Sequence, residues 1–458
     1  MYEKLKNERL VLLLLAAISF TTNLDFLIIL PLGPQYMRVM GISPAQFNEI
    51  VAAYAIAAGI TGVAAGFFLD RFDRKTALLW LYLGFATGTL LCALAPTYGL
   101  LVAARAIAGA FGGVTGAVIL AIVGDVIPEH RRGEAMGLVM SAFSVASIFG
   151  VPLGLVLASD FSWHAPFFVI AGISVPILMA VFRFVPGLCG HLDHCREQHP
   201  VARMLAVLME PNHQMAFLFM AVLTCAGFTI FPTLATYMVY NVGLTEKQLP
   251  FIYLAGGLCT LFSMNWVGRW ADRAGKLRVF TLMSLAASVP VIALTNLPRV
   301  PLLVALAVST VLMICMSGRF VPAMAMMTAT VESRYRGGFM SVNSSVQQFS
   351  CGLAAWASGG IIGQGPNQEI IHYPLAGLVS LACVLACIWL ARFLRSAPGE
   401  RGSVRAWGRE SVWSVQSVWS VERVERGMCY DAVTLHAPTL RRSTLPRSHA
   451  PALRRSMS

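Results

Sequence analysis

Apolar runs long enough to cross a lipid bilayer recur along this chain with little between them, and that recurrence constrains its fold more than any motif. A helix rising 1.5 Å per residue needs about 20 apolar residues to cross a hydrocarbon core about 30 Å thick. Windows of that size fall at residues 10–32, 47–69, 77–95, 99–125, 136–158, 164–184, 216–240, 250–270, 278–297, 301–327, 338–362 and 373–394, which predicts twelve spans, numbered one to twelve in chain order. Only 12% of the 458 residues are charged, against about 25% in an ordinary soluble domain. Charge that scarce cannot cover a water-soluble globule of this length. The sequence therefore excludes a string of soluble domains and predicts an all-α integral membrane protein.

The remaining charge is placed with a bias. Basic residues collect in cytoplasmic loops of membrane proteins. With a cytoplasmic N-terminus, nineteen Lys and Arg of residues 1–395 fall in inner segments, including Lys4, Lys6, Arg9, Arg71, Arg74, Lys75, Arg131, Arg132 and Arg273, while the outer loops hold Arg38, Lys247 and Arg299. This alternation predicts both termini inside, in a multi-pass plasma membrane protein (the inner membrane of a bacterium). It also explains the net charge of +12 without a nucleic-acid partner. The segment Met1 to Arg9 is charged and the apolar run after it is long enough to span, so the first helix is expected to act as its own targeting signal. Most of the ten Cys lie inside apolar runs, which is not a disulfide framework.

Two stretches interrupt the pattern and set the domain organisation. Residues 185–215 form a polar cytoplasmic linker between an N-terminal six-helix bundle, 1–184, and a C-terminal one, 216–395. Residues 396–458 form a basic cytoplasmic tail with ten Arg, no Lys and a tandem echo at Ser411–Gln416 and Ser417–Glu422, the composition of a disordered extension. The halves repeat one another. Gly66-Phe-Phe-Leu-Asp70-Arg71-Phe-Asp73-Arg74-Lys75 follows span two, and Gly268-Arg-Trp-Ala-Asp272-Arg273-Ala-Gly275-Lys276 follows span eight, 202 residues later. Arg132-Gly133 before span five returns as Arg336-Gly337 before span eleven, 204 residues later. Two landmarks at nearly one offset indicate a duplicated six-helix unit, an arrangement common in transporters with a midplane site between the halves.

The pattern Gly-x-x-x-Asp-Arg-x-x-Arg-Lys on the loop between spans two and three resembles the signature of the major facilitator superfamily, and the second copy at the equivalent loop strengthens the resemblance over residues 8–395. It implies twelve helices in two pseudo-symmetric halves, a secondary transporter alternating between inward- and outward-open states, and a cavity lined by spans one, four, seven and ten. It also implies an ionic latch of Gly66, Asp70, Arg71, Arg74 and Lys75 with Asp125 at the inner end of span four, echoed by Gly268, Asp272 and Arg273. Read locally, Gly62 and Gly66 permit close helix approach, and an Asp at a helix N-terminus accepts hydrogen bonds and suits the dipole. The same charges also serve as topology signals.

Deep inside the spans the ionisable groups are Asp25, Arg105 and Arg319. Each costs on the order of 2.5–3.5 kcal/mol near the bilayer centre, so such groups are usually paired and functional. Counted at 1.5 Å per residue, Asp25 and Arg105 both lie roughly 10 Å below the outer face and Arg319 roughly 27 Å below it. That predicts an Asp25–Arg105 pair with Arg319 apart, nearer the cytoplasm. Leu24-Asp25 followed by Pro31, and Arg105 with Gly109, Gly112 and Gly113, resemble the first- and fourth-span motifs of the drug/proton antiporter branch. A carboxylate carries protons between states only if its environment changes, because burial favours the neutral form and a nearby guanidinium the charged form. The alternative is a static buried pair that fixes helix packing. For Arg319 the two readings are a cation for an anionic substrate and a side chain bonded to backbone carbonyls.

Span five carries Gly150-Val-Pro152-Leu-Gly154, small residues and a Pro that bend a helix and allow close packing. The antiporter pattern has Gly and Pro adjacent and ends in Gly-Gly; this departure leans toward related exporters of sugars and metabolites. Trp163-His-Ala-Pro166-Phe167 resembles a feature of these branches and also reads as an interfacial anchor. Cys189, His191, Asp193, His194 and Cys195 are metal-ligand types at no standard zinc spacing, so no metal is expected. Tyr237, Asn241, Asn343, Ser344, Gln347 and Gln348 offer polar faces to a cavity or between helices. No Gly-x-x-x-x-Gly-Lys-Ser/Thr loop is present. The expectation is a monomeric transporter with no cofactor, driven by the proton gradient, that exports a small organic molecule such as a drug, sugar or metabolite. Uptake by proton symport or facilitation is the nearest rival, and a membrane-embedded enzyme on lipid-linked substrates a more distant one.

Overall fold

The computed structural model describes residues 8–68, 72–128, 131–187, 200–332, 335–366 and 368–394. Asp70, Arg71, the Cys189–Cys195 cluster and residues 396–458 lie outside them. The described residues fall in one compact unit. Its membrane-spanning helices are Glu8–Met40, Pro44–Phe68, Arg74–Leu94, Tyr98–Val126, Arg132–Asp160, Ala165–Phe184, Pro211–Tyr240, Glu246–Ala274, Lys276–Thr295, Leu302–Ala329, Arg336–Ile361 and Tyr373–Ala391. Eleven of them are long and apolar enough to cross a bilayer by length and composition. Span eleven is 26 residues long but carries Ser, Asn and Gln along its length, because it packs on span two and its neighbours more than on lipid.

Span one is longer than the sequence reading gave. Its helix ends at Ile28, a short 3-10 turn holds Pro31, and a second segment runs from Gly33 to Met40. Span seven repeats the break: one segment ends at Phe228 and the next, with Pro232 in its first turn, runs from Phe231 to Tyr240. A proline at the start of a helical segment has no N–H to leave unpaired, which is why both restarts fall there. Met40 rather than residue 32 ends the span. Asp25 therefore lies roughly 22 Å along the chain from its outer tip, deeper than the 10 Å expected.

Outer here means the face carrying Arg38, Lys247 and Arg299. The two short outer segments pack on each other across the halves: a Cβ at Gly33 would stand 2.5 Å from Thr236 Oγ1, so only glycine fits there without displacement. Tyr240 Oη donates to the Pro34 carbonyl at 3.4 Å, and Asn48 Nδ2 donates to Thr233 Oγ1 at 3.4 Å. Arg38 forms a two-pronged ion pair with Glu246, its Nη2 lying 3.2 Å from Oε2. Spans two and eleven run together from Ala45 against Gly359 to Gly62 against Ser345. Span eight meets span five at Ile148 and beyond, toward the outer end, while the inner part of span five, Arg132–Val145, packs on span one. The halves are thus sealed toward the outer face.

The linker contributes a helix, Pro200–Met209, on the inner side. Its Met204 and Val207 join the apolar cluster of spans seven, nine, ten, eleven and twelve, and Met204 Cε also fills the space beside Gly66 of span two. A two-stranded hairpin, Gly363–Gln364 with Ile370–Ile371, links spans eleven and twelve, and Asn241 clamps it by accepting from Ile370 N at 2.8 Å and donating to its carbonyl at 3.0 Å.

Candidate functional site

Asp25 and Arg105 meet inside the N-terminal half with no solvent exposure on either side chain. Arg105 Nη1 donates to Asp25 Oδ2 at 2.8 Å and also reaches the Asp25 backbone carbonyl at 3.3 Å. Thr89 of span three donates its hydroxyl to Oδ1 at 3.2 Å, so both carboxylate oxygens have donors. The guanidinium carbon stands 4.4 Å from the centre of the Tyr54 ring, a cation–π contact that stabilises the cation from a third helix. Arg105 Nε and Nη2 have no hydrogen-bond partner. Two of the four spans expected to line a cavity therefore supply one compensated pair, and spans two and three complete its surroundings.

Small residues bring these helices close enough. A Cβ at Gly109 would lie 2.1 Å from the Tyr54 carbonyl oxygen, and Gly113 abuts Ala58, so span two can lay Tyr54 over Arg105. On the other side, Gly150 meets Leu24 and Gly154 meets Ile28, the residues flanking Asp25 on span one. Span five passes through a π-helical turn at Ala146–Gly150 just before Pro152. The proline cannot donate to the preceding turn, and the widened turn absorbs the lost bond. Above the pair, Phe26 touches Tyr54 with ring centres 5.4 Å apart and reaches Phe228 of the other half at 5.9 Å; Phe228 touches Phe231 at 6.4 Å. An aromatic bridge therefore joins the halves one residue from Asp25.

Arg319 stands apart, as its position in the sequence implied. It sits at the break in span ten between Gly318 and Phe320, 2% exposed, and its Nη2 donates to the Leu223 carbonyl of span seven at 3.3 Å. Of the latch residues, Arg74 Nε lies 3.4 Å from Asp125 Oδ2, linking the start of span three to the inner end of span four. Asp73 caps span three by accepting from Thr76 N at 2.9 Å, and Lys75 stands over the Phe182 ring at 5.5 Å. Gly66 faces Met204 rather than span eleven. Gly268 has Val321 Cγ1 3.6 Å from its Cβ position, and among the described residues Asp272 and Arg273 have no ion-pair partner.

The other polar candidates are mostly occupied with structure. Tyr237 Oη donates to the Leu297 carbonyl, Asn241 holds the hairpin, and Asn343 is buried with its Oδ1 unpaired. Trp163 stacks on His164 and meets Tyr36 at 4.8 Å, and His164 Nδ1 pairs with the Ala93 carbonyl at 2.6 Å. No group of three or more metal-ligand side chains is found among the described residues. Thr89, Tyr54 and Phe26 were not singled out in the sequence, where an isolated Thr or aromatic inside an apolar run carries no signal of its own.

A family model described as Major Facilitator Superfamily matches residues 15–193 and 216–442. The chain is 25% identical over 372 residues to the inner membrane transport protein YdhP of Escherichia coli, covering 79% of this chain and 91% of that protein. It is 25% identical over 243 residues to a chloramphenicol resistance protein of Streptomyces lividans, covering 53% and 62%. Among solved structures, that of a D-xylose-proton symporter superposes with a TM-score of 0.69 at 16% identity, covering 85% of this chain and 99% of that one, a likeness of fold.

Proposed function

Because this chain belongs to the major facilitator superfamily, and is therefore a membrane transporter rather than an enzyme, we propose that it exports a small organic molecule in exchange for protons. The observation that carries this reading is the fully buried Asp25–Arg105 pair, placed on two cavity spans and joined by Phe26 to the opposite half. Protonation of Asp25 Oδ2 would cancel one charge of the pair and give up its bond from Arg105 Nη1, leaving Nη1 on the Asp25 carbonyl and the guanidinium against Tyr54. Loss of that bond loosens span one against span four just below the aromatic bridge, where rocking of the halves must break contacts. The proton and the cargo are then coupled through one element, and the cycle is completed when Asp25 deprotonates toward the inner side.

The outer face is taken as the cell exterior, with both termini cytoplasmic in a bacterial inner membrane and a single chain sufficient for transport. Phe26, Tyr54 and Phe228 favour a cargo with an apolar or aromatic body. The similarity to a chloramphenicol resistance protein supports export. A second reading, proton symport for uptake, has the fold of the D-xylose-proton symporter in its favour.

The test is transport in proteoliposomes with an imposed pH gradient. Wild-type chain should move substrate against its concentration only with the gradient in place, in the direction opposite to proton flow. Asp25→Asn should retain counterflow of labelled substrate and lose gradient-driven accumulation. Undiminished coupled transport by that variant removes Asp25 from the proton path, and accumulation with the proton flow establishes symport.

A further inference from the structure

Among the described residues, Arg319 is a buried cation without a counter-charge. Its guanidinium stays protonated at any physiological pH, and it is 2% exposed inside the C-terminal half. One bond is made, from Nη2 to the Leu223 carbonyl at 3.3 Å; Nε and Nη1 have no partner. No carboxylate of the described residues reaches it, and the ionisable groups that face it are the Cys383 and Cys387 thiols, one helical turn apart on span twelve. Thr224, next to the residue that accepts from Arg319, has a buried hydroxyl that is also unpaired. Neutral thiols and hydroxyls are donors that cannot cancel a charge. A guanidinium out of water without an anion carries a large desolvation cost. Arg105 meets the same cost with Asp25.

We propose that the C-terminal half holds one small inorganic anion of chloride's size and charge between spans seven, ten and twelve, bound by Nε and Nη1 of Arg319. The position selects the ligand. Arg319 sits at the junction of the two helical segments of span ten, and the carbonyl and thiols beside it come from spans seven and twelve of the same half. A site closed within one bundle suits a resident ion that replaces the missing carboxylate, and not a cargo that must pass between the halves. The anion sets the packing of span ten on span seven, and does not depend on which way the proton moves.

The experiment is thermal unfolding of the purified full chain in sodium chloride and in sodium gluconate at equal ionic strength, with retention of radiolabelled chloride measured alongside. Wild-type chain should melt about 2 °C or more higher in chloride, saturably, since a ligand bound to the native state stabilises it by mass action, and should retain one chloride per chain. Arg319→Gln and Arg319→Met should retain none and melt alike in both salts. An identical wild-type melt in the two salts with no retained chloride overturns the proposal, and so does a chloride response that survives in either variant. Stabilisation by acetate with chloride inert would assign the site to a carboxylate-bearing ligand and overturn the inorganic anion. Should both variants fail to fold, the wild-type comparison still decides, and Arg319→Lys, which keeps the cation, should keep the chloride response.

Discussion

The two halves share a scaffold and differ in how they handle charge. Both break their first helix at a proline and restart it as a short outer segment, Gly33–Met40 in one and Phe231–Tyr240 in the other. Among the described residues of the N-terminal half, Asp25 is compensated by Arg105 inside the bundle and Arg74 by Asp125 at its inner rim. In the C-terminal half Arg319 is buried without a carboxylate, and Asp272 and Arg273 have no ion-pair partner among the described residues. Duplication conserved the helix geometry, which depends on small residues and prolines, while the ionic groups diverged. The proposed proton path and the proposed anion site thus fall in different halves of one fold.

The largest effect should come from breaking that contrast at its centre. Arg105→Ala leaves the Asp25 carboxylate buried without its cation, and removing one member of a buried pair typically costs about 3–5 kcal/mol. The double variant Asp25→Leu/Arg105→Met removes both charges and should melt close to wild type while losing gradient-driven transport. Arg319→Met, which removes a charge lacking a carboxylate, should cost far less than Arg105→Ala at low chloride. Thermal unfolding of the three variants side by side checks this, and equal losses for Arg105→Ala and Arg319→Met would erase the distinction between the halves.

A smaller effect is expected where the halves meet. Gly33→Leu forces a side chain into the space held by Thr236, and overpacking of this kind costs about 1–3 kcal/mol. Because the strain falls only on the outer-closed arrangement, relief comes from opening the outer face. Thr233→Cys, buried beside Asn48, should become more reactive to a membrane-impermeant thiol reagent in the Gly33→Leu background. Unchanged labelling would mean that the outer segments do not control closure.

Much of this was legible in the sequence because membrane solvation makes a few rules strict. Apolar length located the helices, and the scarcity of charge isolated Asp25, Arg105 and Arg319. The end of span one was misplaced because Leu30–Leu32 forms a turn within a continuous apolar run and the segment after it is only moderately apolar. The Asp25–Arg105 pair, expected from equal depths counted on spans one and four, forms, although the segment Gly33–Met40 carries span one beyond the end from which that depth was counted. Thr89 and Tyr54 did not follow, since their roles depend on helix rotation, which a run of mixed apolar residues leaves undetermined. The side toward which Arg319 turns, onto the Leu223 carbonyl, was likewise open, because both faces of span ten are apolar.

The smallest effect sharpens the comparison at the inner rim. Arg74 is mostly buried, but Asp125 retains 28% of its side-chain exposure, and the pair is long at 3.4 Å. Solvent screening then limits it to the range of surface pairs, about 0.2–1 kcal/mol. Asp125→Asn should lower the melting temperature by a small amount in low salt and by less in high salt, because screening has already weakened the wild-type interaction there. Asp272→Asn, at the equivalent loop of the other half, should leave the melt unchanged at either salt concentration, since among the described residues Asp272 has no ion-pair partner to lose in this outer-closed state. An Asp272→Asn loss matching that of Asp125→Asn would show that the two loops carry equal ionic contacts, and the asymmetry of the halves would then be confined to the bundle interiors.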